Sequence, residues 1–85
     1  MLIRLRSNAL LADHKAKFPI TIHAILGTGT LKVDGREYAL SPGTIVPVEA
    51  YVVHSVQASP ALAILVTFFR QPHSAAGDGA TARFD

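Results

Sequence analysis

The sequence predicts an all-β domain, built either as a closed barrel or as two packed sheets. Three observations support this. Apolar and β-branched residues fall into short segments, turn-forming residues separate these segments, and no stretch has the length or periodicity of a useful helix. The chain has 85 residues, of which 49% are hydrophobic and 16% are charged. It is therefore long enough for one small domain and too apolar to be disordered.

The predicted strands are short and lie close together along the chain. They are Leu2–Arg6, Ala9–Asp13, Ile20–Leu26, Thr30–Val33, Glu37–Leu40, Ile45–Val48, Val52–Gln57 and Leu62–Phe69. The predicted turns are Lys17-Phe18-Pro19, Gly27-Thr28-Gly29, Asp34-Gly35, Ser41-Pro42-Gly43 and Ala58-Ser59-Pro60. Each turn contains a residue that fixes φ or tolerates positive φ. Asp34-Gly35 is predicted to form a tight hairpin turn of the primed type.

The composition changes after Arg70, and this change sets the predicted domain boundary. Residues 1–70 are predicted to form a single domain. Residues 71–85 are mainly small and polar, without periodicity, and are predicted to be a flexible C-terminal tail. The alternative is an arm that packs on a neighbouring subunit, with Phe84 as its anchor.

Composition also excludes several classes of function. The absence of cysteine excludes disulfides, thiolate zinc sites and cysteine nucleophiles. The net charge of +2 is scattered along the chain, which argues against nucleic-acid binding. The apolar run from Ala61 to Phe69 is about half of the roughly 20 residues of a membrane span. The N-terminus lacks the continuous apolar core of a signal peptide, so we expect a cytoplasmic protein without a membrane partner.

A longer succession of signals carries a family resemblance. The segment from Ile25 through the Asp34-Gly35 turn to Gly43 resembles the middle of a cupin domain. The resemblance continues through Thr44–Val48, His54-Ser55-Val56 and the last apolar strand, and so covers about residues 9–69. It implies a small antiparallel jelly-roll β-barrel of the single-domain cupin type. A β-sandwich of unrelated topology is the alternative fold.

What the resemblance implies for metal binding depends on each ligand position. If Gly27 closes the first cupin motif, its first histidine falls on His14, but Ala16 and Ile20 occupy the second histidine and glutamate positions. In the second motif the ligand histidine is His54. The resemblance thus implies a degenerate site in which His14 and His54 bind a divalent ion (Fe, Mn, Ni or Zn). A firm site normally needs three protein ligands, so we expect weak or no metal binding.

Two residues of the loop before His54, which departs from the second cupin motif, are further candidates for the pocket. Glu49 and Tyr51 stand where the second cupin motif has proline and glycine. Glu49 could supply a third ligand or a general base, although a lone charged loop residue is more often solvated. Tyr51 could line the mouth of the pocket, or simply pack at the end of the barrel. A partner subunit is the other possible source of a third ligand.

Strand periodicity predicts which side chains face inward. In Ile20–Leu26 it places Ile20, Ile22, Ala24 and Leu26 on the barrel lining, and it places His23 on the opposite face. In Val52–Gln57 it places His54 inward with Val52 and Val56. Ser55 then faces the other way, which excludes a direct Ser–His nucleophile pair.

Two functional hypotheses from different classes follow. The first is a binding module whose barrel pocket takes a small apolar or weakly polar molecule. The second is a metal-dependent enzyme resembling cupin dioxygenases or isomerases, with His14 and His54 as ligands. We also predict a homodimer, because the chain is short and Leu2–Arg6 could add as an edge strand to a neighbour's sheet.

Overall fold

The computed structural model describes residues 1–70, and this part of the chain contains strands and no helix. The strands are β1 (Leu2–Leu5), β2 (Leu10–His14), β3 (Ile20–Val33), β4 (Arg36–Leu40), β5 (Ile45–Val48) and β6 (His54–Phe68). The all-β prediction is therefore confirmed. No helix among these residues is long and apolar enough to cross a membrane. The predicted tail, residues 71–85, lies outside the described residues.

All six strands join one antiparallel sheet, in which β3 and β6 pair along most of their length. At one end, residues 20–24 of β3 and 62–68 of β6 are flanked by β5 and β1, and we call this end half I. At the other end, residues 29–33 of β3 and 54–58 of β6 are flanked by β4 and β2, and we call this end half II. The two long strands thus belong to both halves.

Two pairs of predicted strands are each continuous in the structure. Ile20–Leu26 and Thr30–Val33 are both parts of β3, because Gly27-Thr28-Gly29 continues the strand and does not form the predicted turn. Likewise β6 begins at His54, two residues later than predicted, and runs through Ala58-Ser59-Pro60. The register between β3 and β6 shifts at Ala24/Leu26 and again at Gly27/Gly29. These shifts bend the long strands while keeping them paired.

Gly27 and Gly29 allow the backbone of β3 to approach the backbone of β6 very closely. Gly27 has φ +79°, and a Cβ built on it would lie 2.1 Å from the carbonyl oxygen of Ala61. A Cβ on Gly29 would lie 2.3 Å from the carbonyl oxygen of Gln57. Both obstacles are backbone atoms, so no side-chain rotation relieves the overlap. The glycines are required for this approach of the two strands.

The first register shift corrects one inward-facing assignment. Ile20, Ile22 and Ala24 are buried as predicted, but Leu26 is 63% exposed. Ala24 pairs with Ile64 and Leu26 pairs with Ala63, which leaves Ile25 as an extra residue in β3. One extra residue exchanges the two faces of a strand. Beyond the bulge the inward positions are therefore odd-numbered, and Leu31 is fully buried.

The predicted hairpin at Asp34-Gly35 is confirmed. Both residues have positive φ, +49° and +83°, as a primed two-residue turn requires. Val33 and Arg36 form the closing pair between β3 and β4. This turn fixes the register of half II at the edge where His54 pairs with Val33.

The hydrophobic core draws on both halves of the sheet. Its buried members are Ile20, Ile22, Ala24, Leu31, Leu40, Val48, Val56, Ala58, Leu62, Ile64 and Val66. Half-buried side chains of β1 and β2, among them Ile3 and Leu11, pack against this cluster. The inner faces of both halves thus share one core, and an apolar cavity lies beside it.

Candidate functional site

A cavity of about 550 Å³ lies between the two halves of the sheet. Half I contributes an apolar wall, made of Ile3, Ile20, Ile22, Ile64, Val66 and Phe68. Half II contributes Leu11, His14, His54 and Val56, and the segment after β2 contributes Lys15, Ala16, Lys17 and Phe18. Met1 and Arg70 complete the lining. We call this space the barrel cavity, and its lining is mostly apolar.

His54 is the most deeply buried polar side chain of the barrel cavity. It is the first residue of β6, and only 2% of its surface is exposed. Its Nδ1 lies 3.0 Å from the carbonyl oxygen of Val52. Because a carbonyl oxygen only accepts hydrogen bonds, Nδ1 must donate, and in the neutral ring Nε2 is then an acceptor. Within residues 1–70, Nε2 has no hydrogen-bond partner. The inward orientation predicted for His54 agrees with its place in the cavity lining.

His14 lies next to His54 because β2 and β6 pair at these two residues. The ring centroids are 4.2 Å apart and the ring planes are inclined at 64°. The Nδ1 of His14 donates in the same way, to the carbonyl oxygen of Ala12 at 2.8 Å. His14 is more exposed than its neighbour. The structure therefore brings together the two histidines that the cupin resemblance implied as ligands.

These two histidines do not complete a firm metal site. Their backbone hydrogen bonds leave both Nε2 atoms available, which is the tautomer a metal requires. However, no group of three or more His, Cys, Asp or Glu residues able to hold an ion occurs among residues 1–70. Ala16 and Ile20, at the positions of the missing ligands, do line the barrel cavity but offer no donor atoms. The donor set supplied by this part of the chain is therefore one ligand short.

The structure does not bring Glu49 and Tyr51 to the barrel cavity. Both lie between β5 and β6 with exposed side chains, Tyr51 at 64%. Neither belongs to the cavity lining. Tyr51 has φ +64°, and its N–H donates to the carbonyl oxygen of Ala16 at 2.8 Å. The loop is thus tied to the segment after β2 through its backbone. His23 is half-buried and also lies outside the cavity, as strand periodicity predicted.

The sequence did not predict that three cationic residues lie at the barrel cavity. Lys15, Lys17 and Arg70 line it and are exposed, so they lie where the cavity meets solvent. The guanidinium carbon of Arg70 stands 5.7 Å from the centroid of the Phe18 ring, within cation–π range. No Asp or Glu belongs to the described lining. In the sequence these charges looked scattered; only the alternation Lys15-Ala16-Lys17 hinted that the two lysines share a face.

Comparison with protein families gives a match over most of the chain. Residues 11–78 match the family described as AraC-like ligand binding domain. A search of curated proteins finds no match.

Comparison with solved structures supports the predicted fold. Salicylate 1,2-dioxygenase from Pseudaminobacter salicylatoxidans is similar with a TM-score of 0.73 and 22% identity, over 76% of this chain and 19% of that chain. A cupin superfamily protein from Desulfitobacterium hafniense is similar with a TM-score of 0.75 and 14% identity, over 81% and 64% of the two chains. The cupin domain of Drosophila melanogaster CENP-C gives 0.73 and 13%, over 80% and 58%.

The chain therefore spans about a fifth of the dioxygenase and less than two thirds of the two smaller proteins. Identities at this level bear on the fold alone. The predicted cupin-type jelly-roll barrel is confirmed.

Proposed function

Since the chain belongs to the family of AraC-like ligand binding domains, we propose that it is a binding module whose barrel cavity takes a small organic molecule. The observation that carries this proposal is the cavity itself. Its volume of about 550 Å³ falls within the range usual for small-molecule sites. Apolar walls with a few convergent polar groups are also typical of such sites. The lack of a third metal ligand among residues 1–70 favours binding over metal-dependent chemistry.

Filling the cavity tests this proposal. Ala16 is half-buried in the cavity lining, and its only described hydrogen bond is made by its backbone carbonyl. Ala16→Phe places a ring in the cavity without removing a core side chain. We expect the affinity for a neutral apolar fluorophore, N-phenyl-1-naphthylamine, to fall roughly tenfold or more, because the ring takes up ligand volume. Fluorescence titration measures the affinity, and circular dichroism confirms that the variant is folded.

Ala39→Phe is the matched control for this experiment. Ala39 is exposed on β4 and does not line the barrel cavity. The control variant should bind the fluorophore as the unmodified protein does. Equal binding by all three proteins would place the fluorophore elsewhere, and no binding by any of them would contradict the proposal.

The adjacent histidines favour a second candidate function, a metal-dependent enzyme of the dioxygenase or isomerase kind. In that case His14 and His54 would hold a divalent Fe, Mn, Ni or Zn ion. Because residues 1–70 provide no third ligand beside them, a partner subunit is one source of it. The backbone-bonded Nδ1 atoms of both rings support this candidate. The two-ligand donor set found within the described part of the chain opposes it.

Elemental analysis separates the two candidates. We expect protein purified without an affinity tag to contain much less than one metal ion per chain, because two neutral imidazoles hold a divalent ion only weakly. His14→Ala is the variant of choice, since His14 is exposed and its loss should leave the fold intact. Near-stoichiometric metal in the unmodified protein that disappears in His14→Ala would instead establish the metal site on which the enzyme hypothesis depends.

A homodimer is a further part of the proposal. Leu2, Leu65 and Ile45 are exposed hydrophobic residues, and strand pairing aligns them with His23 in one row across the outer face of half I. Burial of such a row against a second copy would remove it from water. We expect sedimentation at twice the 9.1 kDa chain mass, and a monomer for Ile45→Lys. A 9.1 kDa species of the unmodified protein at micromolar concentration would contradict the dimer.

A further inference from the structure

We propose that the ligand of the barrel cavity is an organic acid with an apolar body and a hydroxyl or N–H group. This inference rests on the proposed binding function and specifies its ligand class. Three properties of the cavity carry it: cationic side chains at the opening, an apolar wall, and a buried hydrogen-bond acceptor.

The charges at the opening select for an anion. Lys15, Lys17 and Arg70 reach the cavity from two different parts of the chain, and no described lining residue carries a carboxylate to balance them. A ligand anion would supply the opposite charge at this opening. A neutral ligand gains nothing from the three cations. The contact between Arg70 and Phe18 keeps the guanidinium beside the opening, where a carboxylate can reach it.

The apolar wall sets a limit on the rest of the ligand. Ile22, Ile64 and Val66 are almost completely buried and offer no hydrogen-bonding side-chain atoms. A sugar carries hydroxyl groups around its whole ring, and most of them would lose their water partners against this wall. A ring or alkyl chain with few polar groups avoids that loss. The body of the ligand must therefore be apolar.

The buried histidine selects for one hydrogen-bond donor. The Nδ1 of His54 donates to Val52, so the neutral ring presents Nε2 as an acceptor. Only 2% of the surface of His54 is exposed, and its side chain lines the cavity. A buried acceptor without a partner is costly, and a ligand hydroxyl or N–H would satisfy it. A single donor on an otherwise apolar acid therefore fits the cavity as described.

Isothermal titration calorimetry with four matched probes tests the ligand class. The probes are 3-phenylpropionate, its neutral amide 3-phenylpropanamide, 3-(4-hydroxyphenyl)propionate and 3-(4-methylphenyl)propionate. We expect the acid to bind roughly tenfold more tightly than the amide at low salt, as three exposed cations allow. Added salt should reduce this difference. The hydroxyl probe should bind roughly fivefold more tightly than the methyl probe of the same shape.

Variants assign each preference to its residues. Lys15→Gln with Lys17→Gln should remove most of the preference for acid over amide, measured as the ratio of the two affinities. Lys32→Gln is the control, because Lys32 is an exposed lysine outside the barrel cavity. His54→Phe should abolish the preference for hydroxyl over methyl. If His54→Phe does not fold, the hydroxyl and methyl probes still decide the point in the unmodified protein.

The outcomes separate this inference from the proposed function. Equal binding of acid and amide, or tighter binding of the amide, would overturn the anionic ligand and leave the binding module standing. Equal binding of the hydroxyl and methyl probes would overturn the role of His54. Failure of all four probes, together with failure of the neutral fluorophore, would overturn the binding module as well.

Discussion

Gly27→Ala is expected to lower the free energy of unfolding by about 3 kcal/mol or more, a large part of the stability of a small domain. The new Cβ would lie 2.1 Å from the carbonyl oxygen of Ala61 and 2.9 Å from its carbonyl carbon. Both atoms belong to the backbone of β6, so the two long strands would have to move apart. The left-handed φ of +79° adds a conformational cost for any residue with a Cβ. Chemical denaturation followed by circular dichroism measures the loss.

Gly35→Ala is the matched control for this loss. Gly35 has nearly the same φ, +83°, but a Cβ there would meet nothing within 4 Å. We expect Gly35→Ala to cost only about 1 kcal/mol, from the backbone conformation alone. The difference between the two variants therefore measures the close approach of β3 to β6. Equal losses would contradict that approach.

Leu31→Ala is expected to cost about 2–5 kcal/mol, whereas Leu26→Ala should change stability by less than about 0.5 kcal/mol. Both leucines belong to β3, but Leu31 is fully buried in the core and Leu26 is 63% exposed. The first substitution leaves a cavity between the halves of the sheet, and the second removes a side chain that is mostly in water. The denaturant midpoints of the two variants give the difference in their free energies of unfolding, provided that the dependence of this free energy on denaturant concentration is unchanged.

This pair of variants also tests the bulge at Ile25. An uninterrupted strand would place Leu26 on the inner face together with Ile20, Ile22 and Ala24. If Leu26→Ala destabilised the protein as much as Leu31→Ala, Leu26 would have to be buried. Such a result would contradict the extra residue in β3.

The sequence could predict the features that depend on local chemistry. The Asp34-Gly35 turn needs only positive φ at two neighbouring residues, and the inner face of β3 up to Ala24 needs only alternation along one strand. His14 and His54 were identified by motif spacing, and the structure places their rings side by side. What depends on distant partners could not be predicted in the same way. The bulge at Ile25 is defined by the register with β6, which the local pattern does not contain.

The remaining differences at the site have similar causes. Motif spacing placed Glu49 and Tyr51 in the loop before His54, but it carries no information about the direction of their side chains. The positive φ of Tyr51 is a property of the folded loop. Lys15, Lys17 and Arg70 meet at one opening only because the end of β6 returns beside the start of β3, where Phe68 pairs with Ile20. Distance along the chain hid this cluster.

The arrangement of β3 and β6 also bears on how the chain folds. Each of the other strands pairs with β3 or β6, so every part of the sheet contains at least one of these two long strands. The two long strands pair from Ile20 with Phe68 to Val33 with His54, and both pairings require the intervening chain to close into a loop. Only the short hairpin of β3 and β4 is local. We therefore expect slow, all-or-none folding without a stable partial domain. The amide protons of β3 and β6 in the regularly paired stretches on either side of the register shifts should exchange only on global unfolding.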